Sequence, residues 1–211
     1  MNAASEHAAL VDGRAVGRDR VDALLRAVPA RDGQPRPEAL ARAERQRRRW
    51  ATQVVVTDEL ARRACADRGI EPPAEVAPSL VLAVAETDVA DLGSIVAAAL
   101  AHSPAARALL SRLEAEQLVP EAAVRDFYDR NRDRFLTRAA LRRGVDPFGT
   151  ATEADFVPYG QAREQVAREL RRAAGRRAFF DWLDQARTGV VYAQGHEHPG
   201  DPSHPDHEHR H

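Results

Sequence analysis

Two stretches far apart in the chain, residues 37–69 and 157–187, each read as one long helix, and any fold must bury a face of both. The first is "PEALARAERQRRRWATQVVVTDELARRACADRG". Pro37 suits a first helical turn, where no backbone N–H is needed, and Glu38 favours the positive end of the helix dipole. Gly69 suits the left-handed residue that closes a helix. Trp50, Val54, Ala61 and Cys65 fall near one face. The β-branched run from Val54 to Thr57 is locally weak helix, so tertiary packing must hold it. In the second stretch Val166, Leu170, Ala174, Ala178 and Trp182 recur every four residues, and Phe179 and Leu183 widen the stripe. Gly189 ends it.

Shorter elements lie between and around these two. In "AALVDGRAV" the pair Asp12-Gly13 separates two apolar runs and suits a type I′ hairpin turn, so a small hairpin or an extended arm is expected. "GRDRVDALLRAVP" predicts a helix bearing Val21, Leu24, Leu25 and Val28, stopped by Pro29. "IEPPAEVAPS" reads as a linker and residues 79–104 as two short apolar helices. Ser103 and Pro104 read as the N-cap and first residue of the next helix, and Pro120 opens another. That helix places Val124, Phe127, Tyr128 and Asn131 on one face. "LTRAALRRGVDPFGTATEADF" is polar and glycine-punctuated, hence a loop. Val190–Tyr192 suits a short strand, so the two ends of the chain are expected to pair in a small sheet. The expected fold class is mainly α: one helical domain over residues 8–193, then a disordered His-rich tail over 194–211.

Composition closes several routes. A single cysteine, Cys65, allows neither an internal disulfide nor a thiolate zinc cluster. The formal net charge of -1 gives no global field for nucleic acid or membrane, so neither partner is expected. No run approaches the ~20 apolar residues of a membrane span. The first residues have neither the basic region nor the apolar region of a secretory signal, and the expected location is cytoplasmic.

Four segments together are familiar: "VDGRAVGRDRVDALL", "DELARRACADRGI", "AARALLSRLEAEQLVPEAAVRDFYDRNRDRF" and "FFDWLDQARTGVVY". They resemble the chaperone module of SurA-type proteins, which belong with the parvulin peptidyl-prolyl isomerases. The resemblance spans most of residues 8–193, and its most specific part is "VPEAAVRDFYDRNRDRF". It implies interlocked N- and C-terminal helices, and an isomerase domain inserted after the "YDRNRDRF" helix. Only residues 136–157 occupy that place here, too short for a catalytic domain. The resemblance therefore implies a non-catalytic, peptide-binding chaperone or maturation factor without isomerase activity, whose partner is a client polypeptide. Candidate client-gripping side chains are Leu80, Val81, Leu82, Val84, Phe127, Phe148 and Phe156, and for each of them core is the plainer reading than contact.

The end of the chain carries different chemistry. "GHEHPGDPSHPDHEHRH" holds six of the eight histidines. His196 and His198 form one cluster; His204, His207, His209 and His211 form another. In extended chain, residues two apart point the same way, so His-x-His aims two imidazoles together. Imidazole with carboxylate suits zinc, nickel or copper. The alternative function is thus a metal-handling accessory protein that delivers divalent metal to a metalloenzyme. An inert tail and an expression tag are the plain readings.

The remaining charged clusters favour plain readings. Arg42, Arg45, Arg47, Arg48 and Arg49 read as a solvated helix face, with a phosphate or nucleic-acid patch as the alternative. Tyr128, Asp129, Asn131 and Asp133 read as helix-end residues rather than an acidic catalytic site. Cys65 reads as a buried thiol, because a nucleophile needs a base partner. Gly-x-Ser-x-Gly, P-loop and dinucleotide fingerprints are absent from the sequence.

Overall fold

The computed structural model describes residues 6–27, 37–72 and 94–197. Leu80, Val81, Leu82, Val84 and the histidines from His198 onward lie outside them. The described residues are mainly helical, with one three-stranded antiparallel sheet. They form two compact units: residues 1–110 with 180–211, and residues 111–179. The first unit is thus built from both ends of the chain. The second has its own apolar core, so the body expected over residues 8–193 as one domain packs as two units.

In the first unit, β1 (His7–Val11) and β2 (Arg14–Gly17) form the hairpin anticipated from Asp12-Gly13. Both turn residues have positive φ, 47° and 77°, the geometry that matches the right-handed twist of paired strands. β3 (Val190–Tyr192) adds to the other edge of β1, with Ala9 opposite Tyr192 and Val11 opposite Val190. The strand order β2-β1-β3 therefore closes the two ends against each other. Ala8, Ala9, Val11 and Val16 of this sheet are buried.

α1 (Arg18–Ala27) follows directly and buries Val21 and Leu24. α2 (Pro37–Asp67) ends as its sequence foretells: Gly69 sits at φ 62°, and the Ile70 amide donates back to the Cys65 carbonyl at 2.8 Å. Residues 51–58 of α2 are buried on every face, which is how the β-branched run remains helical. α3 (Ser94–His102) packs against α2. Ser103 then caps α4 (Pro104–Ala115), its Oγ accepting from the Ala106 amide at 3.0 Å.

The second unit holds α5 (Glu121–Arg130), α6 (Arg138–Arg143) and most of α7 (Tyr159–Arg187). Its core gathers Val124, Tyr128, Phe135, Ala162 and Val166. Arginines stack on its rings: Arg132 lies 4.0 Å from the Phe156 centroid and Arg125 4.1 Å from that of Tyr159. The segment 136–157, expected as plain loop, contains the short helix α6. Thr137 caps it by accepting from the Ala140 amide, and Gly144 ends it at φ 67°.

Candidate functional site

The first unit carries polar side chains into its interior where the two ends of the chain meet. On α2, Thr52, Gln53 and Thr57 are fully buried and Asp58 is 1% exposed. Each is answered from elsewhere. Tyr192 of β3 donates its hydroxyl to Gln53 Oε1 at 3.0 Å. Arg187, at the end of α7, donates to Thr57 Oγ1 at 3.5 Å, and burial lowers its pKa. Asp58 receives Arg20 of α1 at 2.7 Å and Arg62 at 2.8 Å. Buried polar groups must be paired, and most of these pairs are long-range, so they specify one arrangement of the chain ends.

His196 belongs to this set. It is 2% exposed, and its Nδ1 lies 2.7 Å from Thr52 Oγ1. Thr52 Oγ1 donates its proton to the Arg48 carbonyl at 2.9 Å, which leaves its lone pairs for a proton on Nδ1. Residues 194–197, expected as the start of a tail, are among the described residues. They fold onto the body through the turn at Gly195, and Glu197 lies 3.9 Å from Arg49. Of the candidate metal ligands, His196 is thus the one inside the described residues, buried and with its Nδ1 engaged by Thr52. His198, His204, His207, His209 and His211 lie outside the described residues. Among the described residues no group of three His, Cys, Asp or Glu is placed to hold a metal ion.

Burial pushes the His196 pKa down, Arg18 and Arg48 push it further, and Glu197 and Asp22 oppose them. A depressed folded pKa means that the unfolded chain takes up the proton first. The stability His196 contributes is thus fully present above the ordinary value near ~6.5 and is lost as pH falls through the folded value. Glu59 and Asp155 are held below the ordinary carboxylate range, so they titrate at lower pH than this window. We expect urea unfolding to show lower stability at pH 5.5 than at pH 7.5, and a shallower difference in His196→Gln. Equal slopes in the two proteins would remove His196 as the cause.

Beside this network is a cavity of about 350 Å³, lined by Arg18, Glu44, Arg45, Arg48, Gln194 and His196. The arginine run of α2 is therefore not one solvated face. Arg47 reaches the Leu25 carbonyl at the end of α1, Arg49 is buried beside Glu197, and Arg45 and Arg48 face the cavity. A run of arginines in sequence carried no signal for that division, because it depends on where residues 18 and 196 arrive.

Cys65 is buried and donates to the Ala105 carbonyl at 3.4 Å. Burial raises its pKa in spite of Arg68, which disfavours the thiolate a nucleophile needs.

In the second unit, segment 136–157 is closed at its base. Leu136 bridges Phe156, the Thr137 amide donates to the Asp155 carbonyl at 2.8 Å, and the Val157 amide donates to the Phe135 carbonyl at 2.7 Å. Inside it, Arg143 pairs with Asp155, Asp155 accepts from Thr152, and Asp146 accepts from the Phe148 amide at 3.0 Å. This frame leaves Phe148 71% and Leu141 59% exposed. Of the anticipated gripping residues, Phe148 is presented to solvent. Phe156 is 5% exposed and packed under Arg132, core rather than contact, because the base of the segment is tied to α5 by the Tyr128 hydroxyl, which donates to the Val157 carbonyl at 2.6 Å. Phe127 is half-buried, with Arg134 over its ring and that guanidinium held by Glu169.

No helix among the described residues is long and apolar enough to cross a membrane. No family model, curated protein or solved structure matches the chain.

Proposed function

We propose that this chain is a non-catalytic, peptide-binding chaperone or maturation factor acting in the cytoplasm, of the kind its SurA-like sequence segments imply. The observation that carries the reading is the braced segment 136–157 holding Phe148 in solvent. An exposed aromatic ring costs solubility unless something covers it, and a frame of internal hydrogen bonds limits the entropy given up on covering it. The segment stands where SurA-type proteins carry their isomerase domain, so the chain would grip a client without isomerising it. Client affinity would be weak and broad, as adaptable apolar surfaces allow.

The test is suppression of aggregation when a chemically unfolded model enzyme is diluted into the protein. We expect wild type to suppress aggregation and Phe148→Ser to require about fivefold to tenfold more protein. That factor corresponds to roughly 1–1.4 kcal/mol, the scale for partial burial of one apolar side chain against a client. Substitution at so exposed a site leaves stability within about 0.5 kcal/mol. Wild-type protein without suppression, or Phe148→Ser acting as well as wild type, would defeat the reading.

A second reading rests on the composition after residue 197, where five further histidines alternate with Asp, Glu and Pro. It makes the chain a carrier of nickel, zinc or copper for a metalloenzyme. Removing residues 198–211 separates the two: client binding survives under the first reading, and metal retention is abolished under the second.

A further inference from the structure

We propose that the cavity between Arg18, Arg45, Arg48 and His196 binds a small phosphoryl dianion, as free phosphate or as the phosphate of a small organic monoester. The site lies wholly in the first unit and is independent of the client-binding segment. Four observations converge on it.

Among the described residues the lining carries three guanidiniums and one carboxylate, Glu44, an excess of two positive charges (three less one), with Glu197 and Asp22 acting on the His196 ring from outside it. Guanidinium forks match phosphoryl oxygens and hold them in pairs of charge-assisted hydrogen bonds. The three arginines arrive from different places in the chain. Arg18 opens α1, while Arg45 and Arg48 stand a turn apart on α2. They surround a space rather than line up along one surface.

Arg18 supplies the second observation. Its Nε is shielded from solvent and has no hydrogen-bond partner among the described residues. A shielded donor left unpaired is unfavourable, and a turn of the Arg18 side chain toward an anion in the cavity would relieve that cost. The third is the volume: about 350 Å³ lies at the low end of ordinary small-ligand sites. It admits a phosphoryl group with a modest organic remainder.

The fourth is His196. Its Nδ1 is directed to Thr52, and the positive charges of Arg18 and Arg48 reach its ring. A dianion seated between those guanidiniums would face the same field, and would favour a protonated imidazole at the cavity wall. No aromatic side chain among the described residues lines the cavity, so base stacking, the usual grip on single-stranded nucleic acid, gains no support from them.

Calorimetric titration of the full chain with inorganic phosphate, glycerol phosphate and acetate at pH 7.5 and low salt tests the proposal. We expect saturable one-to-one binding of both phosphates, at least about tenfold tighter than acetate. A tighter monoester assigns an organic phosphate; equal affinities assign free phosphate. Arg48→Gln and Arg45→Gln, both exposed positions, should each weaken phosphate binding by about tenfold, the effect of removing one charge-assisted pair. Arg42→Gln, on the same helix but outside the lining, should leave it unchanged. Circular dichroism confirms that each variant is folded. Absence of saturable phosphate binding, acetate binding as tightly, or an Arg42→Gln effect equal to that of Arg48→Gln would each overturn the proposal.

Discussion

Arg20→Met should lower the stability of the protein by about 2–4 kcal/mol, the range for removing one partner of a buried ion pair, reduced because Arg20 is itself partly exposed. Arg20 is the electrostatic tie between α1 and α2. One nitrogen donates to Asp58 Oδ2 at 2.7 Å and the other to Glu59 Oε2 at 2.8 Å. Asp58 is 1% exposed, and its Oδ1 has no hydrogen bond among the described residues. Without Arg20 the carboxylate keeps, among the described residues, only Arg62, itself about half exposed. Glu59 is deprived of a partner as well. Burial acts to raise its pKa, and hydrogen bonds from Arg20 and Arg63 outweigh that burial. The penalty therefore comes chiefly from charge left stranded rather than from attraction forgone. Arg20→Met combined with Asp58→Leu should recover at least about half of the deficit, since replacing a whole buried pair with apolar residues is close to neutral. Urea denaturation of the two variants and wild type measures this. An Arg20→Met protein as stable as wild type, or a double variant worse than Arg20→Met alone, would refute the stranded-charge account.

Gly175→Ala gives the second large effect, and its sign is the informative part. In the interior of a helix, glycine to alanine ordinarily stabilises by about 0.5–1 kcal/mol. Here we expect destabilisation by about 1–3 kcal/mol, the cost of overpacking. A Cβ at residue 175 would fall 2.7 Å from the Cα of Glu114 and closer still to its side chain. A backbone atom cannot step aside as a side-chain tip can, so α4 and α7 would have to separate locally. Thermal unfolding reads the outcome directly, and a raised midpoint would show that the two helices do not meet through this glycine. Gly160, near the start of the same helix, meets nothing within 4 Å and offers the contrasting position.

The local elements were legible because their causes are local. Asp12-Gly13 makes its hairpin turn, Ser103 caps its helix, and Gly69 closes α2, since each depends on a residue's own backbone preference and on neighbours a few positions away. The pairing of β3 with β1 was legible too, from short β-prone segments at the two ends of the chain.

The candidate sites were legible only in part. Phe148 could be singled out as an aromatic in a polar loop, yet nothing in the sequence separated it from Phe156, eight positions on. One is presented to solvent and the other is buried under Arg132, because the Tyr128 hydroxyl ties the base of the segment to α5. His196 stood in a histidine-rich run that reads uniformly as metal-binding. Its burial depends on Thr52, a contact across 144 residues of chain.

By itself, then, the amino-acid sequence determined a mainly helical chain with two long helices, capped ends and paired termini. Composition and short-range spacing are sufficient for those, since helix, cap and turn are decided within a few residues. Tertiary structure alone decided which of five neighbouring arginines face a cavity, which histidine is core, and which glycine lets two helices meet. Those properties belong to surfaces made by residues distant in sequence, and a side chain's burial is not defined until its partners arrive.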